Sequence, residues 1–249
     1  MGTPSHKTVG ILLYQGCTLL DFCGATQIFV QYASQGWTPV WFSDTFDPIQ
    51  TSEGMSVMPQ ETFDGLDKAD ILFVPGGGGH GVQAAMENAA LLQQLQKAAQ
   101  ADKWIGSVCT GTFVLAASGV LNGSTCTTHW MALDQLRRLD KACNLTVPSG
   151  FPRQHMDHKT KRFTGGGVSS SIDLALTLLR DLGSVSQANR SALMNQYAPK
   201  LPEDVREGQP GKADPKIQAS LENDPKLQKE FLGPISAGVD GLLGQTAWT

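Results

Sequence analysis

Two short stretches of this chain, residues 8–14 and 70–75, are apolar almost without interruption, and residues 103–108 read as a further strand. Strands open to water on one face alternate polar and apolar residues. Unbroken runs belong to parallel strands buried on both faces. Helical segments lie between and after these runs. Residues 20–33 end at Gly36, residues 82–101 are rich in Ala, Leu and Gln, residues 110–118 stop at Gly119, and a further helix covers 169–182. Strand followed by helix, repeated with short loops, predicts an α/β fold: a flavodoxin-like parallel sheet sandwiched by helices. Residues 37–43 read as a strand and 51–62 as short extended pieces. Residues 124–128, 144–147, 153–157 and 162–164 read as short strands, and 130–139 and 186–197 as helices.

Residues 1–198 thus form one α/β domain. Residues 199–249 hold six prolines and six glycines without periodicity. They read as an extended C-terminal arm, not an independent domain, packed on the domain or on a partner subunit, or else as a partly disordered tail.

Charge excludes several classes of function. The net charge is −4 and no basic stripe is present to neutralise phosphates, so nucleic acid is not expected as a partner. No stretch approaches the ~18 apolar residues of a membrane span. Residues 1–8 lack the apolar core of a signal peptide. Five cysteines in no metal-type spacing read as reduced thiols, which points to the cytoplasm.

In open α/β sheets, ligands sit beyond the carboxyl ends of the strands. Cys109 falls there, between the strand at 103–108 and the helix at 110–118. Ser107-Val-Cys-Thr-Gly111 has the form of a nucleophile elbow, with Ser107 in place of the first glycine. A helix N-terminus behind the sulfur would favour the thiolate and lower its pKa, and its N–H groups could hold an oxyanion.

Asp21 follows the first strand among apolar neighbours. It reads either as a proton-shuttling carboxyl of raised pKa or as the N-cap of the first helix. Gly76 to Gly81 formally fits G-x-G-x-x-G, but the following strand ends without an acidic residue for a ribose. The better reading is an anion pocket walled by the N–H groups of Gly76 and Gly77. His129 stands at the same edge of the sheet, as a residue beside the pocket or as a structural histidine. Gly165-Gly-Gly-Val168 opens the next helix and places Gly166 and Val168 either at the pocket or in a tight turn. His155-Met-Asp-His158 resembles a metal pair only superficially, and no metal site is expected.

These stretches, taken in order over residues 8–198, resemble the DJ-1/PfpI superfamily, with its class I glutamine-amidotransferase-like fold. The resemblance rests on residues 11–21, Asp70-Ile-Leu-Phe-Val-Pro-Gly-Gly77, Ser107-Val-Cys-Thr-Gly111, residues 115–130 and Phe163-Thr-Gly-Gly-Gly167 through Leu182. Asp21 in place of the usual Glu, together with Thr127-Thr-His-Trp130, makes the chain look most like the isonitrile hydratases. The resemblance implies Cys109 as nucleophile, Asp21 as acid/base, Thr110 as an active-site neighbour, a homodimer, and neither metal nor organic cofactor. The activity it implies is hydration of a small, apolar isonitrile to an N-substituted formamide. Other cysteine chemistry, glyoxalase-like or hydrolytic, and a non-enzymatic redox or ligand sensor are the alternatives. Similar segments occur in sensor domains of AraC-like regulators, but residues 199–249 are too short and too rich in Pro and Gly to supply their helix-turn-helix pair.

Overall fold

The computed structural model describes residues 6–199 and 208–245. The first apolar run forms β1 (Lys7–Leu12), and the loop after it leads into α1 (Leu19–Val30). The chain returns as β2 (Trp37–Ser43), then makes β3 (Ile49–Gln50), β4 (Ser56–Val57) and β5 (Glu61–Thr62). β6 (Ile71–Val74) is followed by α2 (Gly79–Glu87) and α3 (Ala89–Ala99), and β7 (Trp104–Ser107) by α4 (Gly111–Ala117) and α5 (Leu133–Arg138). β8 (Gln154–Asp157), β9 (Arg162–Gly165), α6 (Ser170–Leu182) and α7 (Val185–Met194) complete the layers.

The seven-stranded sheet runs β5-β2-β1-β6-β7-β9-β8. All its neighbouring pairs are parallel except β8 with β9. The five strands from β2 to β9 follow the 2-1-3-4-5 order of flavodoxin-like sheets, so the strand order reverses between β1 and β6. Every residue of β6 and β7 is buried, the polar Ser107 included. Each large apolar side chain there is worth about 1.5–3 kcal/mol of burial. The edges are blunted by the two-residue β5 and the polar, half-buried β8.

β7 and β9 approach too closely for any side chain at Gly106, which pairs with Phe163. A Cβ on Gly106 would lie 2.1 Å from the Phe163 carbonyl oxygen and 2.3 Å from its ring. Gly106→Ala is therefore expected to cost at least about 3 kcal/mol in urea unfolding. A loss below about 1 kcal/mol would mean that the two strands can separate without penalty.

Several local expectations need correction. The helix expected over 82–101 is two helices, because Asn88 stands in an extended conformation and its side chain accepts the Leu91 N–H at 3.1 Å. Residues 124–128 and 144–147 are loops joined by one bridge, Thr125 to Thr146. Their threonines bond elsewhere: Thr127 N–H donates to Thr164 Oγ1 at 2.9 Å, and Thr127 Oγ1 donates to the Pro152 carbonyl at 3.0 Å. The 130–139 helix begins as a 3-10 turn, Trp130–Ala132, before α5.

The segment beyond 208 is helical where its composition reads as extended. It contains α8 (Pro215–Glu222), α9 (Pro225–Leu227), a π-helical turn (Gln228–Leu232) and α10 (Gly233–Gly244). The signal lies in Asp214-Pro215 and Asp224-Pro225. In each, the Asp side chain caps the helix and Pro fills the first helical position, where its missing N–H costs nothing. α10 lies on α2 and α5 and buries Ile235, Val239 and Leu242.

Candidate active site

The loop after β1 and the loop after β6 meet where the strand order reverses. Thr18 N–H donates to the Gly76 carbonyl at 2.9 Å, Gly78 N–H donates to the Gly16 carbonyl at 3.0 Å, and Cys17 bridges to Gly77. Tyr14, the last residue of the first apolar run, donates its hydroxyl to the Pro75 carbonyl at 2.8 Å. Nothing in its local sequence marks this role.

Asp21 lies in the first turn of α1, and the capping position belongs to Thr18. The N-cap reading of Asp21 is thereby set aside. Its side chain leaves the helix and accepts the Gly76 N–H on Oδ2 at 2.7 Å. The carboxyl is 1% exposed, and Oδ1 has no hydrogen-bond partner among the described residues. Burial pushes its pKa up to about 8, and the nearby Glu53 carboxylate adds to the rise while the Gly76 N–H opposes it. Asp21 therefore holds a proton at neutral pH, as its apolar sequence setting suggested.

Cys109 sits between β7 and α4 at φ 54°, a left-handed conformation that a non-glycine residue adopts at a cost of about 1–3 kcal/mol. The surroundings enforce it from both sides. Its N–H donates to the carbonyls of Gly165 and Gly166, at 3.0 and 2.8 Å. Its carbonyl accepts from Thr128 Oγ1 at 2.8 Å and from Thr112 Oγ1 at 3.3 Å. The strand-turn-helix elbow is thus present, and Thr128 is a support that the local sequence did not single out.

The expected lowering of the thiol pKa is overturned. Burial pushes it up and the Asp21 carboxylate pushes it further, outweighing the N–H and hydroxyl of Thr110 that favour the thiolate. Burial likewise raises Cys17 and Cys126 to about 12. Acidity therefore does not single out Cys109. Its elbow geometry, the Thr110 N–H and the neighbouring Asp21 do.

Gly76 is where the two groups meet. A Cβ there would lie 2.7 Å from the Thr110 nitrogen and 2.8 Å from the Cys109 Cβ. Only glycine lets the loop carrying the Asp21 bond rest against the elbow. The expected anion wall is a second correction. Gly76 N–H is held by Asp21, Gly77 N–H by Thr110 Oγ1 at 3.1 Å, and Gly78 N–H by Gly16. Three successive amides are spent on internal bonds and cannot cradle an anion.

Gly166 touches the site through its carbonyl, and its own N–H donates to the Arg153 carbonyl at 2.8 Å. Val168 is half-buried just before α6. His129 caps the 3-10 turn, its Nδ1 accepting the Met131 N–H at 3.4 Å. Burial pushes its pKa down to about 4, so it is neutral at pH 7. Its ring lies beside Gly167, where a Cβ would stand 3.6 Å from Cδ2. His158 contacts Asp181 at 3.3 Å. Among the described residues, no three His, Cys, Asp or Glu side chains gather in a metal-binding group, and no helix is long and apolar enough to cross a membrane.

Residues 7–180 match the sequence profile of the DJ-1/PfpI family. The chain belongs to the DJ-1/PfpI family. It is 33% identical over 196 residues to an isonitrile hydratase from Pseudomonas putida, covering 79% of this chain and 81% of that protein. It is also 26% identical over 233 residues to the HTH-type transcriptional regulator GbdR of Pseudomonas aeruginosa, covering 90% of this chain and 58% of the regulator. Among solved structures, a THiJ/PfpI family protein from Pseudomonas syringae superposes with a TM-score of 0.83 at 25% identity, over 95% of this chain and 92% of that one. DJ-1/PfpI relatives thus include both an enzyme and transcriptional regulators, on one fold.

Proposed function

We propose that this chain is a cysteine-dependent hydratase that converts an isonitrile to an N-substituted formamide, with Cys109 as nucleophile and Asp21 as acid and base. One observation carries the reading: a buried carboxyl of raised pKa, with one oxygen tied to Gly76 and the other unpartnered, stands beside a cysteine held in a strained elbow. The chemistry needs a nucleophile and a proton at one carbon. Both come from neutral groups at pH 7, which suits an apolar, uncharged substrate. The 33% identity to an isonitrile hydratase supports the same assignment.

In the first step the Cys109 sulfur bonds to the isonitrile carbon as Asp21 gives that carbon its proton. The carboxylate takes the thiol proton, leaving a thioimidate, R–N=CH–S–Cys109. Water then adds to the same carbon. Asp21 protonates the nitrogen and takes a proton from the water. The tetrahedral adduct R–NH–CH(OH)–S–Cys109 collapses: the C–S bond breaks, the hydroxyl proton passes to sulfur, and the formamide R–NH–CHO leaves. The sum is isonitrile plus water, with no change of oxidation state in the protein. The Thr110 N–H offsets charge on the departing sulfur.

Purified protein incubated with cyclohexyl isocyanide should yield N-cyclohexylformamide by mass spectrometry. Absence of the formamide from folded protein whose Cys109 is still alkylated by iodoacetamide would sink this reading. Turnover of methylglyoxal in its place would move the assignment to glyoxalase-like chemistry.

A further inference from the structure

We propose that Phe231 forms the outer wall of the Cys109 site and sets how bulky a substituent can reach the sulfur, an inference that rests on the isonitrile reading only for the identity of the substrate. Phe231 belongs to the C-terminal segment, far from the other site residues in sequence. The structure nevertheless brings it onto two of the loops that hold the site together.

The first is the loop after β6. The main chain of the π-helical turn lies on Gly79, where a Cβ would meet the Phe231 carbonyl oxygen at 2.4 Å and that of Glu230 at 2.7 Å. Gly79 follows Gly76, whose N–H holds Asp21, by three residues. The second contact is with His129. The Phe231 ring stands edge-on to the imidazole, with centroids 5.5 Å apart and planes at 82°. His129 adjoins Thr128, which holds the Cys109 carbonyl, and its ring lies beside Gly167, next to the Gly166 carbonyl that holds the Cys109 N–H. Phe231 therefore touches the segment after the Gly76 loop through its main chain and the His129 side of the Cys109 elbow through its ring. It is only partly buried.

The turn is anchored. Behind it, Ile235, Val239 and Leu242 of α10 are buried, and Gly238 approaches Met86 so closely that a Cβ would lie 3.0 Å from its sulfur. Arg138 of α5 donates to Ser236 Oγ at 3.1 Å and pairs with Asp240. The π-helical form has a local cause as well. Pro234 has no N–H to give the Glu230 carbonyl, and Gly233 N–H bonds the Gln228 carbonyl five residues back. That irregularity leaves the Glu230 carbonyl turned toward Gly79. A fixed aromatic side chain beside the path to a reacting group discriminates by size, each misfit methylene group costing about tenfold or more.

The test uses the full chain with Phe231→Ala and Phe231→Trp, and reads alkylation at Cys109 itself by peptide mass spectrometry, since Cys23 is also partly exposed. Two thiol reagents are compared: small iodoacetamide and bulkier N-phenylmaleimide. Phe231→Ala should accelerate N-phenylmaleimide about tenfold while iodoacetamide changes less than about threefold; Phe231→Trp should slow the bulky reagent selectively. Where Phe231→Ala does not fold, Phe231→Leu takes its place. An unchanged ratio of the two rates in both variants, or equal acceleration of both reagents, would overturn the proposal, the latter because it reports general loosening. Alkylation needs no isonitrile turnover, so this result stands apart from the fate of the proposed reaction. If formamide is made, kcat/KM for cyclohexyl over methyl isocyanide should shift in the same direction in each variant.

Discussion

Cys109→Ala and Cys109→Ser are expected to lose formamide production by at least about a thousandfold while keeping the fold. The loss follows from chemistry: alanine has no nucleophile, and a serine hydroxyl gives up its proton far less readily than a thiol. Retention of the fold follows from geometry. The four hydrogen bonds that enforce the elbow involve the Cys109 N–H and carbonyl and leave the sulfur out. Nor does substitution strand a charge, because burial keeps the thiol protonated. Formamide yield by mass spectrometry and urea unfolding on the same samples check both halves. A turnover rate near wild type in the alanine variant would remove the thioimidate from the mechanism.

Asp21→Asn should lose activity by about a hundredfold or more and change the pH dependence of stability. Burial raises the Asp21 pKa to about 8 in the folded protein, against 3.8 for the free group. Between these values the folded chain binds a proton that the unfolded chain does not. Its contribution to stability is complete below about pH 4 and is lost as pH rises toward 8. The slope approaches about 1.4 kcal/mol per pH unit, or about 4 kcal/mol lost by pH 7.

His129 acts in the opposite sense lower down. Its pKa falls from 6.5 to about 4 on folding, so its stability contribution rises with pH between those values. From pH 6.5 to 8 the His129 effect is over, and the cysteines, all raised from 9, titrate higher still. In that window wild-type stability should fall with pH. Asp21→Asn should remain flat, because the amide carries no titrating proton and its oxygen can still accept the Gly76 N–H. Denaturant unfolding at pH 6.5, 7.25 and 8 measures this, and parallel slopes in the two proteins would contradict a raised Asp21 pKa. A variant more stable at pH 8 yet inactive would show a buried carboxyl kept at a cost to stability.

The layers of this fold were legible because their signals are local. Near-continuous apolar runs in β1 and β6 are best satisfied by a sheet covered on both faces, and the order of strand and helix follows from the chain. The same locality exposed Cys109, since a strand-turn-helix break around Ser-Val-Cys-Thr-Gly is visible in five residues. Misreadings arose where a side chain competed with the backbone. Asn88 broke a helix that propensity alone carries through, and Thr127 drew residues 124–128 out of a strand. In the C-terminal segment, prolines counted as breakers were helix starters, because each follows a capping aspartate.

The amino-acid sequence by itself determined the α/β architecture, the placing of a cysteine at an elbow and of an aspartate in the segment after the first strand. Periodicity and turn chemistry are properties of neighbouring residues. The tertiary structure alone decided that the thiol stays protonated, and it chose between the two readings of Asp21. The pKa values of both groups depend on water excluded by segments distant in the chain, and burial outweighed the Thr110 N–H that a local reading favours. It decided likewise that the Gly76, Gly77 and Gly78 amides are consumed by Asp21, Thr110 and Gly16, and that Phe231 reaches His129. Hydrogen-bond donors and apolar faces find their partners through space, and the closing of the sheet between β1 and β6 brings these partners within reach.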